Sequence, residues 1–208
     1  NTWKGEIKNL KKDGSYYWVN ATISPIFDEN NQKIGYTSIR QNITDKKIVE
    51  NLSITDGLTN IFNRRHFNNI FLKTINSAKR DNNLVSFLLM DIDYFKQYND
   101  TFGHQKGDSV LIDVASTMKQ FLNRADDYCF RLGGEEFGII FNVNTKNKAL
   151  EFANTIKQKI EDLKIEHSKN SASSYITVSI GLICTNANEI NSDEEVYKEA
   201  DDLLYKAK

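Results

Sequence analysis

Three features that this 208-residue chain lacks, or has little of, exclude several classes of protein. It has two cysteines, no long apolar run and no excess of either charge, since 27 basic residues face 28 acidic ones. Cys129 and Cys184 lie inside apolar segments at a spacing that excludes a cysteine-based zinc site. We therefore expect buried thiols in a reducing compartment rather than a disulfide. A net charge of -1 argues against binding to the phosphate backbone of nucleic acid.

No apolar stretch approaches the roughly 20 residues that a membrane-spanning helix needs, and no signal peptide opens the chain. We therefore expect a cytoplasmic protein with no membrane segment within this chain. The sequence begins at Asn1 in the middle of a strand-like pattern, which suggests a fragment of a longer protein. A membrane or sensor segment could lie upstream.

The most informative stretch is 131–137, Arg-Leu-Gly-Gly-Glu-Glu-Phe, which has aromatic and β-branched residues on both sides. This pattern predicts two strands joined by a very short turn, at which Gly133 and Gly134 permit positive φ and the close approach of a ligand. The neighbouring carboxylates of Glu135 and Glu136 repel each other, and a bound cation usually offsets this repulsion. An ordinary hairpin with solvated acids is the alternative.

A second acidic position follows the near-continuous apolar run 84–90, which is typical of a strand buried on both faces. The run ends in Asp91-Ile92-Asp93. A carboxylate at the end of a central strand, beside an acidic hairpin, makes a hard-oxygen site suited to Mg²⁺ or Mn²⁺. Capping of the next helix would explain Asp93, but it would leave Asp91 unexplained.

These motifs resemble those of the GGDEF family of diguanylate cyclases, which condense two GTP molecules into cyclic di-GMP. Gly-Gly-Glu-Glu-Phe, preceded by Asp-Ile-Asp-Tyr-Phe-Lys, carries the likeness over residues 56–208. The resemblance implies an α+β fold, a ferredoxin-like nucleotidyl-cyclase palm with a mostly antiparallel sheet flanked by helices. The apolar spacing predicts the order helix–strand–helix–helix–strand–strand–helix–strand–helix, with the last strand over residues 175–182, and this order fits such a palm.

The resemblance implies a metal site at the acidic end of this palm. Asp91, Glu135 and the carbonyl of Ile92 would hold one or two Mg²⁺ or Mn²⁺ ions. Glu136 would either join the metals or help to remove the proton of the attacking 3′-hydroxyl. The sequence does not decide whether Glu135 or Glu136 is the base.

A second group of residues would hold the triphosphate of GTP. Lys96 lies one turn into the helix that follows Asp93, where it would steady the charge that develops during catalysis. With the free N–H groups of Tyr94 and Phe95, it would bind the β- and γ-phosphates. Lys208 matches a basic residue that contacts the triphosphate in the family.

The resemblance places Asn99 and Asp108 on the guanine. Asp108 can accept from N1–H and the exocyclic amine, and Asn99 can bond the ring face or O6. Adenine lacks that pair of donors, so an acid at position 108 would select guanine. His104 would orient the base, although a histidine beside a helix start is usually a polar cap.

In the family, product inhibition depends on an Arg-x-x-Asp motif five residues before the Gly-Gly pair. Arg124 and Asp127 meet that spacing, so we predict an inhibitory site for cyclic di-GMP at these residues. A surface ion pair of little energetic value is the alternative.

Three regions follow one another along the chain. Residues 1–43 carry three strand-like segments and resemble the C-terminal half of a PAS sensor domain, to which we assign no ligand. Residues 44–55 are predicted to form a linker helix, either a plain connector or a short parallel dimer seam. Residues 56–208 would form the GGDEF domain, in which Asp56 is expected to pair with Arg64 or Arg131.

The partners implied by the resemblance are GTP as substrate, cyclic di-GMP as product and inhibitor, and an upstream PAS sensor as regulator. Because one domain offers one nucleotide site, joining two GTP molecules requires two domains facing each other, so we expect a homodimer. The alternative is a catalytically silent module that binds GTP or cyclic di-GMP as a receptor. A third hypothesis is a sensory or interaction scaffold driven by the PAS region.

Overall fold

A computed structural model describes residues 1–52, 54–122, 126–171 and 173–208. The chain forms two compact units, Asn1–Ser53 and Ile54–Lys208. Within the described ranges, no helix combines the length and the apolar character needed to cross a membrane.

The first unit is an antiparallel meander followed by one helix: β1 (Trp3–Leu10), β2 (Tyr16–Phe27), β3 (Lys33–Asn42) and α1 (Thr44–Leu52). The central strand, β2, pairs with both neighbours. In the turn between β1 and β2, the Asp13 carboxylate accepts hydrogen bonds from Ser15, which suits an Asp-Gly turn. Ile34, Tyr36 and Ile39 stay exposed, so these three strands bury little apolar surface by themselves.

The second unit has a five-stranded sheet in the order β4-β6-β7-β5-β8, with helices on both faces. Its elements are β4 (Phe62–Asn63), α2 (Arg64–Asp81), β5 (Leu84–Ile92), α3 (Phe95–Phe102), α4 (His104–Phe121), β6 (Tyr128–Gly133), β7 (Glu136–Phe141), α5 (Lys146–Glu161), β8 (Val178–Asn186) and α6 (Asp193–Ala207). Neighbouring strands are antiparallel except for β4, which runs parallel to β6. The predicted α+β palm is therefore confirmed.

The central strand β5 is buried from Val85 to Ile92 because helices cover both faces of the sheet. Alternate residues of β5 enter opposite layers. Those packed with α3, α4 and α5 are Leu88, Met90 and Ile92. Those packed with α2 and α6 are Val85, Phe87 and Leu89. This two-sided burial explains why the strand shows no alternation of apolar and polar residues.

Two details differ from the sequence prediction. The short strand β4 has only two residues, too few to show a periodic pattern. The strand expected over 175–182 begins instead at Val178 and ends at Asn186. Tyr175 forms an isolated bridge with Glu166, because the chain turns back on itself before β8 starts.

Candidate active site

The hairpin between β6 and β7 closes through Gly134 and Glu135, as the sequence predicts. Gly134 has φ +51°, which favours glycine. Arg131 stabilises this turn, because its Nε donates to the Gly134 carbonyl at 3.0 Å. A second nitrogen of the same guanidinium donates to the Asp56 carboxylate at 3.2 Å. Asp56 therefore pairs with Arg131, whereas Arg64 donates to the hydroxyl of Tyr197.

In the entry turn, which we define as residues 56–59 together with Arg131, the Asp56 carboxylate already has its hydrogen-bond partners, so its role is structural. Asp56 Oδ1 accepts from the N–H and the hydroxyl of Thr59 at 2.9 and 2.7 Å. Burial alone would raise the pKa of the Asp56 carboxyl, but the hydrogen bonds from Thr59 and the charge of Arg131 lower it below its ordinary value. The ionised form is therefore the preferred one in the folded protein.

The sheet register brings the two acidic motifs together. Asp91 lies directly opposite Glu136 on β7 and opposite Ser179 on β8. The Asp91 side chain is almost completely buried, with 6% of the residue exposed. Because Glu135 immediately precedes β7, all three acids lie at one end of the sheet.

A cavity of about 300 Å³ opens at this end of the sheet. It is lined by Asp91, Ile92, Asp93, Tyr94, Phe95, Lys96, Gln97, Glu135 and Lys208. A larger cavity, of about 520 Å³, lies at the opposite end of β5 among residues such as Asn82, Asn83 and Asp126. The predicted metal and phosphate residues line only the smaller one, except Glu136, which is absent from both linings.

Lys208, at the end of α6, pairs with Asp91: its Nζ lies 2.8 Å from Asp91 Oδ1. Burial raises the pKa of the Asp91 carboxyl; Lys208 opposes this shift, while Glu135 and Glu136 add to it. The pKa of Asp91 is raised overall, so one lysine does not offset the cost of a buried charge beside two glutamates. A divalent cation would relieve the same cost.

Within the described part of the chain, no three His, Cys, Asp or Glu side chains gather closely enough to hold a metal ion on their own. Asp93 is unsuited because its two carboxylate oxygens accept from the hydroxyls of Thr177 and Ser179, both at 2.7 Å. The predicted capping role of Asp93 is wrong. Tyr94 is the N-cap of α3, with φ +55° and no side-chain cap bond among the described residues.

The first turn of α3 faces the cavity through Tyr94, Phe95 and Lys96. Helix geometry leaves the N–H groups of this turn without intrahelical acceptors, so they favour an anion. The Phe95 side chain is buried in the core, and only its backbone is suited to a ligand. The side chain of Lys96 is exposed beside them.

The three residues predicted to hold guanine lie around the α3–α4 junction. Asn99 is on α3, while His104 and Asp108 are exposed and one turn apart on the same face of α4. Gly107 packs so closely on Asn99 that a Cβ would collide with Oδ1. That oxygen is buried and has no hydrogen-bond partner among the described residues.

Comparison with protein families matches residues 53–208 to the family described as "Diguanylate cyclase, GGDEF domain". The chain belongs to the GGDEF family. Residues 1–40 match the PAS fold, in agreement with the predicted sensor fragment.

Named relatives support this assignment over the GGDEF part. The probable diguanylate cyclase DgcT of Escherichia coli is 36% identical over 162 residues, 78% of this chain and 35% of DgcT. The response regulator PleD of Caulobacter vibrioides is 34% identical over 177 residues, 85% of this chain and 38% of PleD. The chain thus spans little more than a third of the length of these relatives.

A solved structure of the coiled coil and GGDEF domain of DgcB from Caulobacter crescentus, in complex with c-di-GMP, shares the fold. The TM-score is 0.66 at 30% identity, and the match covers 77% of this chain and 83% of DgcB's. The family and its fold are therefore established for the second unit.

Of the two residues predicted for product inhibition, Asp127 lies away from the acidic end of the GGDEF domain. Asp127 directly precedes β6, and its Oδ1 accepts from the backbone N–H of Asn142 at 3.3 Å. Arg124 lies outside the described residues. The inhibitory site stays a prediction.

The sequence prediction missed four side chains that hydrogen-bond to Asp93 and Tyr94 of the cavity lining: His167, Ser171, Thr177 and Ser179. Thr177 and Ser179 had a signal, because two hydroxyl residues at period two within an apolar strand share one face. His167 had none, since it lies in a polar segment without a motif. It is completely buried in the GGDEF domain.

Proposed function

We propose that this domain condenses two GTP molecules into cyclic di-GMP with release of pyrophosphate. The observation that carries the proposal is the register that sets buried Asp91 opposite Glu136, beside a cavity that also contains Lys96, Lys208 and the first turn of α3. Relatives named as diguanylate cyclases support the choice of reaction.

Asp91, Glu135 and the carbonyl of Ile92 are the groups that would hold divalent cations, up to two Mg²⁺ or Mn²⁺ per site. The fit is chemical: the oxygens are hard donors, and the raised pKa of Asp91 marks a carboxylate in need of positive charge. Mg²⁺ usually takes one or two carboxylates together with substrate phosphates, so a protein cage of three acids is not required. Bound metal would neutralise the charge that develops on the reacting phosphate.

The chain's own groups would bind and orient GTP. The N–H groups of Tyr94 and Phe95 and the charge of Lys96 suit the β- and γ-phosphates, with Lys208 as a further cation. Asn99 and Asp108 suit the guanine edge, and His104 lies close enough along α4 to orient it. Glu136 or Glu135 would accept the proton of the 3′-hydroxyl.

A single domain provides one such site, so the active species in this proposal is a homodimer with two sites facing each other. The PAS region would set the geometry of that dimer. We place the protein in the cytoplasm, where GTP is available. Product inhibition through Arg124 and Asp127 belongs to the same proposal, and Arg124→Ala should relieve it.

The direct test is incubation with GTP and Mg²⁺ followed by chromatographic detection of cyclic di-GMP. We expect product from the wild type and none from Glu136→Gln, with Glu151→Gln, an exposed glutamate on α5, as the matched control. Full activity of Glu136→Gln would remove Glu136 from the mechanism. A wild type that binds GTP or cyclic di-GMP without turnover would instead identify a silent receptor.

A further inference from the structure

His167 is a buried histidine that contacts the phosphate-binding turn from outside the cavity. Its Nε2 lies 3.1 Å from the carbonyl oxygen of Tyr94, and its ring meets the Tyr98 ring edge-on at 5.3 Å. A carbonyl can only accept, so Nε2 carries the proton. Nδ1 is buried without a partner among the described residues. Among the residues that the structure describes, the imidazole therefore bonds only to the backbone at the start of α3.

The carbonyl of Tyr94 is the first acceptor of helix α3. It also accepts the N–H of Tyr98 at 3.1 Å, the bond that closes the first helical turn. His167 therefore binds the same oxygen that sets the direction of α3. The N–H groups of Phe95 and Lys96 lie in that turn, and their aim depends on its geometry.

The backbone of Tyr94 needs such support. Its φ of +55° is a left-handed conformation, which is unfavourable for a residue with a side chain. Such a conformation persists only where the surroundings enforce it. Here the Tyr94 carbonyl is held by His167, and its hydroxyl receives a hydrogen bond of 2.6 Å from Ser171.

The segment that carries His167 is itself fixed to the sheet. The N–H of His167 donates to Ser174, and the side chain of Asn170 donates to the Tyr175 carbonyl and to the Thr177 hydroxyl. Thr177 in turn donates to Asp93. Both residues that join β5 to α3, Asp93 and Tyr94, are thus held by one stretch of chain outside the GGDEF motifs.

We propose that His167 is a positioning residue for the triphosphate of the nucleotide. Its hydrogen bond to Tyr94 fixes the first turn of α3, so that the turn's N–H groups point at the β- and γ-phosphates. This inference rests on the proposed function insofar as the ligand is a guanosine triphosphate. It predicts a defect confined to the phosphates, because the hydrogen bond and the ring contact of the His167 side chain go to Tyr94 and Tyr98 rather than to the residues proposed to hold guanine.

The test compares two probes in the presence of Mg²⁺: a GTP analogue with a methylene bridge between the α- and β-phosphates, and GMP, which lacks the β- and γ-phosphates. Titration calorimetry should show His167→Phe binding the analogue about fivefold more weakly, the size of one hydrogen bond to a neutral carbonyl. GMP affinity should stay within about twofold, since the ring volume is kept and the guanine site is untouched.

Two further variants separate positioning from packing. His167→Gln can place an amide N–H near the position of Nε2, so it should restore most of the affinity, whereas the shorter His167→Asn should not. His66→Phe is the matched control, because His66 is a half-buried histidine on α2 that packs against Phe62 of β4. If His167→Phe does not fold, the Gln and Asn variants carry the same comparison.

Equal weakening of both probes, or unchanged binding of both by His167→Phe and His167→Asn, would overturn the inference. Its failure is distinguishable from failure of the proposed function. A wild type that makes cyclic di-GMP while the His167 variants bind like wild type refutes only the positioning role. A wild type that binds the analogue more tightly than the His167 variants, yet forms no product, refutes only the reaction.

Discussion

Two acid–cation pairs in the GGDEF domain look alike and behave in opposite ways. In the entry turn, Asp56 pairs with Arg131, and the pKa of Asp56 falls; in the cavity, Asp91 pairs with Lys208, and the pKa of Asp91 rises. The difference lies in the remaining contacts. Asp56 also receives two hydrogen bonds from Thr59, whereas Asp91 is more deeply buried and faces two glutamates.

This contrast separates a structural ion pair from a site prepared for a ligand. A satisfied carboxylate stabilises the fold and has no capacity left for chemistry. A carboxylate held under repulsion costs stability, and the cost is recovered only when a cation arrives. The predictions below test this contrast, starting with the largest effect.

Asp91→Asn should lower turnover by about 100-fold or more, because it removes a carboxylate that would hold the metal, and the metal would neutralise the charge on the reacting phosphate. In metal-free buffer the same variant should melt at a higher temperature than wild type, since it no longer buries a repelled charge. Cyclic di-GMP formation and thermal melting measure the two effects. A lower melting temperature would contradict the contrast drawn here.

Asp56→Asn should do the reverse and lower the free energy of unfolding by about 1.5–3 kcal/mol, the range for hydrogen bonds to a charged group. Denaturant titration of the wild type and the variant measures this loss. The KM for GTP should change little, because Asp56 supports the hairpin from outside the cavity. A stability equal to that of wild type would show that the Arg131 pair contributes nothing.

Acidification should remove the stability differences between the wild type and the two variants, Asp91→Asn and Asp56→Asn, in a defined order. The lowered pKa of Asp56 gives stability that is present above its ordinary pKa and is lost as pH falls through the lower folded value. The raised pKa of Asp91 means that its cost grows as pH rises, so the advantage of Asp91→Asn should disappear first on acidification. Melting curves of both variants and wild type across the acid range give the two crossings.

Lys208→Gln should have the smallest effect. Lys208 is nearly half exposed, so its pair with Asp91 is partly screened by solvent, and exposed pairs contribute up to about 1 kcal/mol. We expect the affinity for the bridged GTP analogue to fall by no more than about fivefold, as measured by calorimetry. Lys206→Gln, an exposed lysine two residues earlier in the last turn of α6, serves as the control.

Much of this fold could be predicted because its signals are local. The buried run of β5, the Gly-Gly turn and the apolar face of α4 each follow from residues adjacent in sequence. The hairpin motif also predicts Glu135 and Glu136 as candidate site residues. Asp91 is predicted from its place at the end of a buried strand, which is again a local pattern.

The remaining features depend on partners far along the chain. Asp93 looked like a helix cap, since its real partners, Thr177 and Ser179, arrive only when β8 pairs with β5. His167 could not be assigned at all, because its carbonyl partner on Tyr94 belongs to a residue whose left-handed backbone leaves no trace in the sequence. Choosing Arg131 over Arg64 for Asp56 likewise required the hairpin to be in place.

The absence of a side chain at Gly107 has a consequence for selectivity. It lets two helices close over the amide oxygen of Asn99 and shut water away from it. An acceptor in contact with solvent tolerates a ligand that has no matching donor, because a water molecule can donate the hydrogen bond instead. A dehydrated acceptor would not: in the proposed guanine site, a base that turned toward this oxygen without a donor would leave it unpaired, at the full cost of a buried polar group.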